Sequence, residues 1–232
     1  MEGKDRLAEW SSRWDDGRIQ FHRSKVTGVL MDNIDYLSNG KKGQRFLVPL
    51  CGKTLDMLWL ADHGHYVVGI EGVSKACEDF FKENEIKYTE TDVPDIADGK
   101  LFKSEDGRIL LYCCDIFKLN KDILGQFDAI VDRGSLVAIY EQDRQRYITL
   151  MKSVLKTDGR ILLMVVEYDS NERKVKGPPR PFFRNDLDKL YGDWCELREI
   201  DRSDMMPQNP ERFGKQWGLS SIWNIWYLVN RS

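Results

Sequence analysis

Between residues 45 and 167, short apolar runs alternate with stretches of helical periodicity, and no other feature of the chain restricts its fold so tightly. RFLVPL at 45–50 reads as a short strand. Leu55, Leu58 and Trp59 then recur at helical spacing towards Gly64. YVVGI at 66–70 is a continuous apolar run, as a strand covered on both faces requires. A second helix is predicted over 74–85, with Ser74 as its N-cap. KLFKSEDGRILLYCCDIF predicts a hairpin turning at Glu105–Gly107, with ILLYCC as its core strand. FDAIVD at 127–132 is a further strand, and residues 142–156 gather Ile148, Leu150, Met151, Val154 and Leu155 on one helical side. Asp158 and Gly159 are expected to stop that helix before RILLMVV begins the next strand.

Strands alternating with helices predict a doubly wound α/β fold, a mostly parallel Rossmann-like sheet with helices on both faces. The tail breaks the pattern. CELREID at 195–201 and IWNIWYLVN at 222–230 have only a polar loop with Pro207, Gly214 and Gly218 between them, which predicts an antiparallel pair closing the sheet. Residues 171–181 form the obvious long loop. At 232 residues the chain suits one domain, with a core large enough to need neither disulfide nor structural metal. The net charge of −3 argues against a nucleic-acid partner, which calls for a basic excess. Cys51, Cys77, Cys113, Cys114 and Cys195 are odd in number and contain no C-x-x-C pair, so reduced thiols in a reducing compartment are expected. No apolar stretch approaches the roughly 18 residues of a membrane span, and MEGKDRLAEW carries no apolar signal core. A cytoplasmic monomer is the expectation, since no heptad or exposed apolar stripe is evident.

In open α/β sheets, ligands bind outside the carboxyl ends of the strands where strand order reverses. The first strand should end at Pro49–Leu50, with Cys51–Gly52–Lys53 turning into the helix and Gly52 letting a ligand approach the backbone. Glu71 follows about 20 positions on, at the end of the second strand, placed to accept from two ribose hydroxyls. Asp115 could take an adenine amino group and Ile116 could pack on the ring. The fourth strand ends in Asp132–Arg133–Gly134. The turn has one glycine where a dinucleotide fingerprint needs three, which counts against a pyrophosphate-bearing nicotinamide or flavin.

Several ordered segments together resemble the thiopurine methyltransferase family: EWSSRWDDGRIQFH at 9–22, FLVPLCGKTLDMLWLADHGHYVVGIE at 46–71, YCCDIF at 112–117 and FDAIVDRGSLVAI at 127–139. GPP at 177–179 and ERFGKQWG at 211–218 match more weakly. The resemblance spans nearly the whole chain. It implies a seven-stranded methyltransferase sheet, S-adenosyl-L-methionine as methyl donor and a small thiol as acceptor. It also implies that residues 1–25, with Trp10, Trp14 and Phe21, close over the cofactor. By the same resemblance, Leu50, Glu71, Asp115, Ile116 and Arg133 line the cofactor site, and Phe21, Arg133, Pro178, Pro179 and Arg212 face the acceptor. The chain departs from the family pattern at Asp115, where mammalian relatives often carry serine, at Arg180–Pro181 after GPP, and in the Arg212-to-Trp217 spacing.

A thiolate attacking a sulfonium annihilates charge, so a dry, closed site is expected, with an aromatic lid able to face the cation. No general base stands out. Arg133, assisted by Arg212, is expected to hold the acceptor as thiolate, since an arginine cannot take the proton itself. His22, His63 and His65 lack metal-like partners and read as structural, and Trp217, Trp223 and Trp226 read as packing residues. Paired arginines suit any soft anion, so halide, thiocyanate, or selenium and tellurium species compete with a thiol as acceptor. A nicotinamide oxidoreductase and a non-catalytic nucleoside-binding protein are the alternatives of other classes.

Overall fold

The computed structural model describes residues 3–20 and 22–231. Phe21, and the cofactor and acceptor contacts expected of it, lie outside the described residues. The order of elements is α1 (Gly3–Asp15), α2 (Gly28–Asp32), α3 (Ile34–Ser38), β1 (Arg45–Val48), α4 (Leu55–Asp62), β2 (Tyr66–Glu71), α5 (Ser74–Glu83), β3 (Tyr88–Asp92), β4 (Lys100–Ser104), β5 (Ile109–Cys113), α6 (Lys121–Leu124), β6 (Phe127–Arg133), α7 (Arg144–Val154), β7 (Leu155–Glu167), α8 (Arg184–Tyr191), β8 (Cys195–Asp204) and β9 (Trp223–Arg231). The strands form one sheet in the order β3-β4-β5-β2-β1-β6-β7-β9-β8.

The parallel centre β5-β2-β1-β6-β7 and the antiparallel pair β9-β8 are the seven strands expected. The predicted hairpin is β4-β5, and β3 extends it to nine strands. β3 (YTETD) is almost wholly exposed and polar, so it carries no apolar signal to reveal it. Helix α7 ends at Val154 and β7 starts at once, so Asp158 and Gly159 lie within the strand rather than at a helix stop. The N-cap of α5 is Val73, not Ser74, whose hydroxyl donates to Glu78 one turn on.

Alternation along the strands divides the core. Phe46, Val48, Val67, Ala129 and Val131 face α2 to α5, meeting Leu30, Met57, Leu60, Phe80 and Phe81. Leu47, Val68, Ile70 and Ile130 face the other way, towards Tyr147, Ile148 and Met151 of α7 and Leu187 and Tyr191 of α8. Each fully buried aromatic or branched side chain stabilises the fold by about 1.5–3 kcal/mol, and both layers are dense with them. The result is a rigid sheet whose strand order reverses on either side of β1, and the crevice above that point is where a ligand belongs.

Candidate active site

At the exit of β1 the chain turns sharply. Leu50 has φ of 42° and Gly52 of 52°, a left-handed conformation uncommon for a leucine and found preferentially at functional sites. The Cys51 amide donates to Ile70 O at 2.9 Å, holding this turn against the end of β2. Beside it, the buried Glu71 carboxylate accepts from Gly52 N at 2.8 Å, Gly72 N at 2.7 Å and Val73 N at 2.9 Å. One carboxylate thus joins both glycine turns at the entrance to α5. Burial pushes the Glu71 carboxyl above its ordinary value, and the three backbone donors pull against that rise.

Helix α1 lies over these turns. A Cβ at Gly72 would sit 2.3 Å from Leu7 Cδ2, and one at Gly52 would sit 3.3 Å from Trp14 Cζ2. The absence of side chains is what lets the helix come so close. Trp14 is buried with Val73 and Ala76, and Trp10 and Ile19 pack against this small cluster, which is separate from both main core layers. Lys53 reaches Glu83 at 2.6 Å and stands 5.9 Å from the Trp14 ring.

Arg133 ends β6 on the opposite side of the crevice. Burial lowers its pKa, Asp56 opposes that, and Arg23 adds to it; the guanidinium stays charged. Among the described residues its buried Nε has no hydrogen-bond partner. The turn that carries it is anchored from below. Asp132 accepts from Leu136 N at 3.0 Å and from the Tyr147 hydroxyl at 2.8 Å, and the Ser135 hydroxyl donates to Pro49 O at 2.6 Å. The far wall is Pro178–Pro179, whose carbonyls accept from Arg173, and Pro179 O also accepts from Tyr168 Oη at 2.8 Å. Arg173 and Arg212 lie 4.1 and 4.9 Å from the Trp217 ring. Burial, then the nearby Arg173 charge, lowers the pKa of Arg212.

The glycine turns, α1, Arg133, the proline pair and Arg212 meet at one cavity of about 280 Å³. Of the residues expected from the sequence, Trp10, Trp14, Leu50, Glu71, Arg133, Pro178, Pro179 and Arg212 line it. Asp115 and Ile116 are not among its lining residues. Asp115 accepts from Phe117 N at 3.0 Å and caps the short turn Ile116–Lys118, while Ile116 is buried in the core. Both nonetheless leave the strand next to Glu71, since Cys113 pairs with Glu71 and Cys114 N donates to Glu71 O. The cavity also takes residues the sequence reading passed over. Lys53 stands in the predicted turn itself, and Arg13 lies three positions from Trp10, so both signals were present. His22, read as structural, lines it too, and burial with the charges of Lys53 and Arg133 lowers its pKa. Trp217, read as packing, does both.

Asp132 offers a measurement of this anchoring. Burial pushes its carboxyl up to about 6 from an ordinary 3.8. A raised folded-state pKa means that the group favours the fold below pH 3.8 and that this contribution is lost as pH rises through 6. The difference corresponds to ~3 kcal/mol. Asp132→Asn should therefore gain stability relative to the unaltered protein as pH rises from 4.5 to 8, read as Tm by calorimetry. Parallel Tm curves across that range would contradict the assignment.

The nine-stranded sheet with its crevice above β1, β2 and β6 is the fold of an α/β methyltransferase. A structure of Burkholderia thailandensis 1,6-didemethyltoxoflavin-N1-methyltransferase with bound S-adenosylhomocysteine superimposes with a TM-score of 0.64 at 15% identity, covering 97% of this chain and 87% of that one. TehB from Haemophilus influenzae gives 0.59 at 15% identity, over 90% of this chain and 64% of the other. At such identities the likeness establishes the fold. The family follows from sequence: the model of the thiopurine S-methyltransferase family matches residues 6–232, and the chain belongs to that family. A probable thiopurine S-methyltransferase of Danio rerio is 42% identical over 96% of this chain and 94% of its own length. The thiopurine S-methyltransferase of Canis lupus familiaris is 39% identical over 96% and 88%.

Proposed function

We propose that this protein transfers a methyl group from S-adenosyl-L-methionine to the sulfur of a small aromatic or heterocyclic thiol. The observation that carries the reading is the shared cavity: Glu71, set between two glycine turns at the end of β2, opens into the same space as Arg133 and Arg212. The residues suit the donor. A buried carboxylate can accept from a ribose diol, Gly52 and Gly72 present bare backbone to the cavity, and the Trp10 and Trp14 indoles offer faces to a cation. Asp115 and Ile116 would meet the adenine end beyond the present cavity lining. When bound, the donor supplies an electrophilic methyl group on a sulfonium.

The chain's own residues do the rest. Glu71 fixes the sugar and so aims the methyl group, and orientation of this kind contributes roughly 7–11 kcal/mol in favourable systems. Arg133, with Arg212, holds the acceptor sulfur as thiolate, and water carries the proton away. At about 280 Å³ the cavity lies at the low end of ligand pockets. Helix α1 would therefore yield to admit two molecules and then close again, excluding water. Met164, Val166, Phe213 and Trp217 give the acceptor end apolar walls, which favour a flat aromatic thiol over an inorganic anion. We read the protein as a single-domain, cytoplasmic monomer, in keeping with its five buried free thiols.

Calorimetric titration with S-adenosylhomocysteine, S-adenosylmethionine and NAD tests the donor, and turnover with aromatic thiols, thiocyanate, iodide and selenite tests the acceptor. The adenosyl-sulfur ligands should bind and NAD should not, with aromatic thiols preferred. Absence of both heat and thermal stabilisation at saturating adenosyl-sulfur ligand would overturn the reading.

A further inference from the structure

Arg180 is not among the cavity's lining residues, yet what it touches forms the cavity wall. Its backbone N–H donates to Val137 O at 2.8 Å, and its Nη1 donates to Ala138 O at 2.8 Å. Val137, Ala138 and the preceding Pro179 all line the cavity. The guanidinium also lies 4.1 Å from the centre of the Tyr140 ring. Tyr140 Oη donates to Glu9 Oε2 on α1 at 3.3 Å, and Glu9 Oε1 holds Arg13 at 2.7 Å. This side chain thus ties the proline wall to the segment that follows Arg133, and Tyr140 carries the link on to the helix over the glycine turns.

We propose that Arg180 is a positioning residue that sets the width of the acceptor site and so selects which thiols fit, while Tyr140 and Glu9 couple that wall to α1. The proposal rests on the methyl-transfer reading above. The physical reason is the number of constraints on one short loop. Tyr168 and Arg173 hold Pro178–Pro179 from the β7 side. Arg180, the next residue, is itself held to Val137 and Ala138 on the Arg133 side, and Pro181 bridges to Val166. Fixed at both ends, the proline wall cannot swing. Without the guanidinium, the Val137 and Ala138 side of the clamp keeps only a backbone hydrogen bond, and the wall can retreat from the cavity. The planar guanidinium matters because it stacks on a ring and donates to a carbonyl at the same time, which a lysine ammonium cannot do.

The test compares Arg180→Ala, Arg180→Lys and Tyr140→Phe, using a monocyclic aromatic thiol and a bicyclic heteroaromatic thiol as acceptors and S-adenosylhomocysteine in calorimetry. Arg180→Ala should lower kcat/KM for the monocyclic thiol on the order of 10–100-fold, with a smaller loss for the bicyclic one, because misplaced walls cost orientation. The bicyclic-to-monocyclic ratio should therefore rise, while affinity for S-adenosylhomocysteine changes little. Arg180→Lys should recover part of the original ratio. Tyr140→Phe keeps the ring under Arg180 but removes the hydroxyl, so the acceptor ratio should stay put while affinity for S-adenosylhomocysteine falls. Equal losses for both acceptors in Arg180→Ala and Arg180→Lys, tracking a fall in Tm, would overturn the proposal and leave Arg180 a structural residue only. Failure of the unaltered protein to bind S-adenosylhomocysteine would instead sink the methyl-transfer reading.

Discussion

Replacing Glu71 by glutamine is expected to weaken binding of S-adenosylhomocysteine by roughly 10²–10³-fold, since two charge-assisted hydrogen bonds of about 1.5–3 kcal/mol each would be lost or made neutral. The effect has a second part that distinguishes it from a simple ligand contact. The carboxylate already accepts from Gly52, Gly72 and Val73. A glutamine has one acceptor oxygen and an NH₂ that would face backbone donors. A buried N–H left unmet costs about 1–3 kcal/mol, so Tm should also fall, by roughly 2–10 °C for a chain of this size. The pH dependence gives an independent check. Burial raises the Glu71 pKa above 4.5, so its protonation on acidification favours the fold, while the ionised form is what grips a diol. As pH falls from neutral towards 4.5, donor affinity should fall although this group's contribution to stability rises. That opposition should be absent from Glu71→Gln. Calorimetry across pH reads it directly, and donor affinity within about threefold of the unaltered protein, against the large loss expected from charged hydrogen bonds, would remove Glu71 from the site.

The parts of this architecture that were legible in the sequence are those that burial writes into it. YVVGI and FDAIVD became β2 and β6 because strands covered on both faces are built mainly of apolar residues, with Asp132 buried on hydrogen bonds from Leu136 and Tyr147. Glu71 stood out because it ends such a run, where a carboxylate is otherwise costly to bury. By contrast, β3 is held by backbone pairing to β4 at an exposed edge, which places no demand on residue type beyond solubility. The start of β7 at Leu155, inside the predicted helix and before its expected stop, reflects pairing of Leu155 with Phe127, a long-range contact that local turn residues do not report. The same holds for Arg180. Nothing in GPPRP announces that its arginine will meet Tyr140 and, through it, Glu9, 171 positions away by sequence number. Side chains that form the site from a strand end are readable one by one, whereas those that hold its walls together emerge only from the packing.

Arg133 is the residue whose loss should separate activity from stability most clearly. With a weakly acidic thiol near neutral pH, Arg133→Met is expected to lower kcat/KM by roughly 10²–10³-fold, the range seen when a preorganised charge-stabilising donor is removed. The loss should shrink as pH rises past the thiol's own pKa, because the thiolate then forms without help. It should be small throughout for an aromatic thiol that is already ionised. Arg133 does not titrate in this range, as a guanidinium stays protonated even where burial lowers its pKa. With the methyl donor saturating, the acid limb in the rate therefore follows ionisation of the acceptor rather than of Arg133, and the variant should displace that limb upward. Stability should move the other way. The guanidinium is largely buried, its Nε has no partner among the described residues, and its charged form is disfavoured by desolvation. An apolar side chain of similar length removes that cost, so Tm should hold or rise while turnover collapses, as at a site kept strained for function. Coincident pH–rate profiles for Arg133→Met and the unaltered protein, measured with the weakly acidic thiol, would show that the cation does not act on the acceptor sulfur.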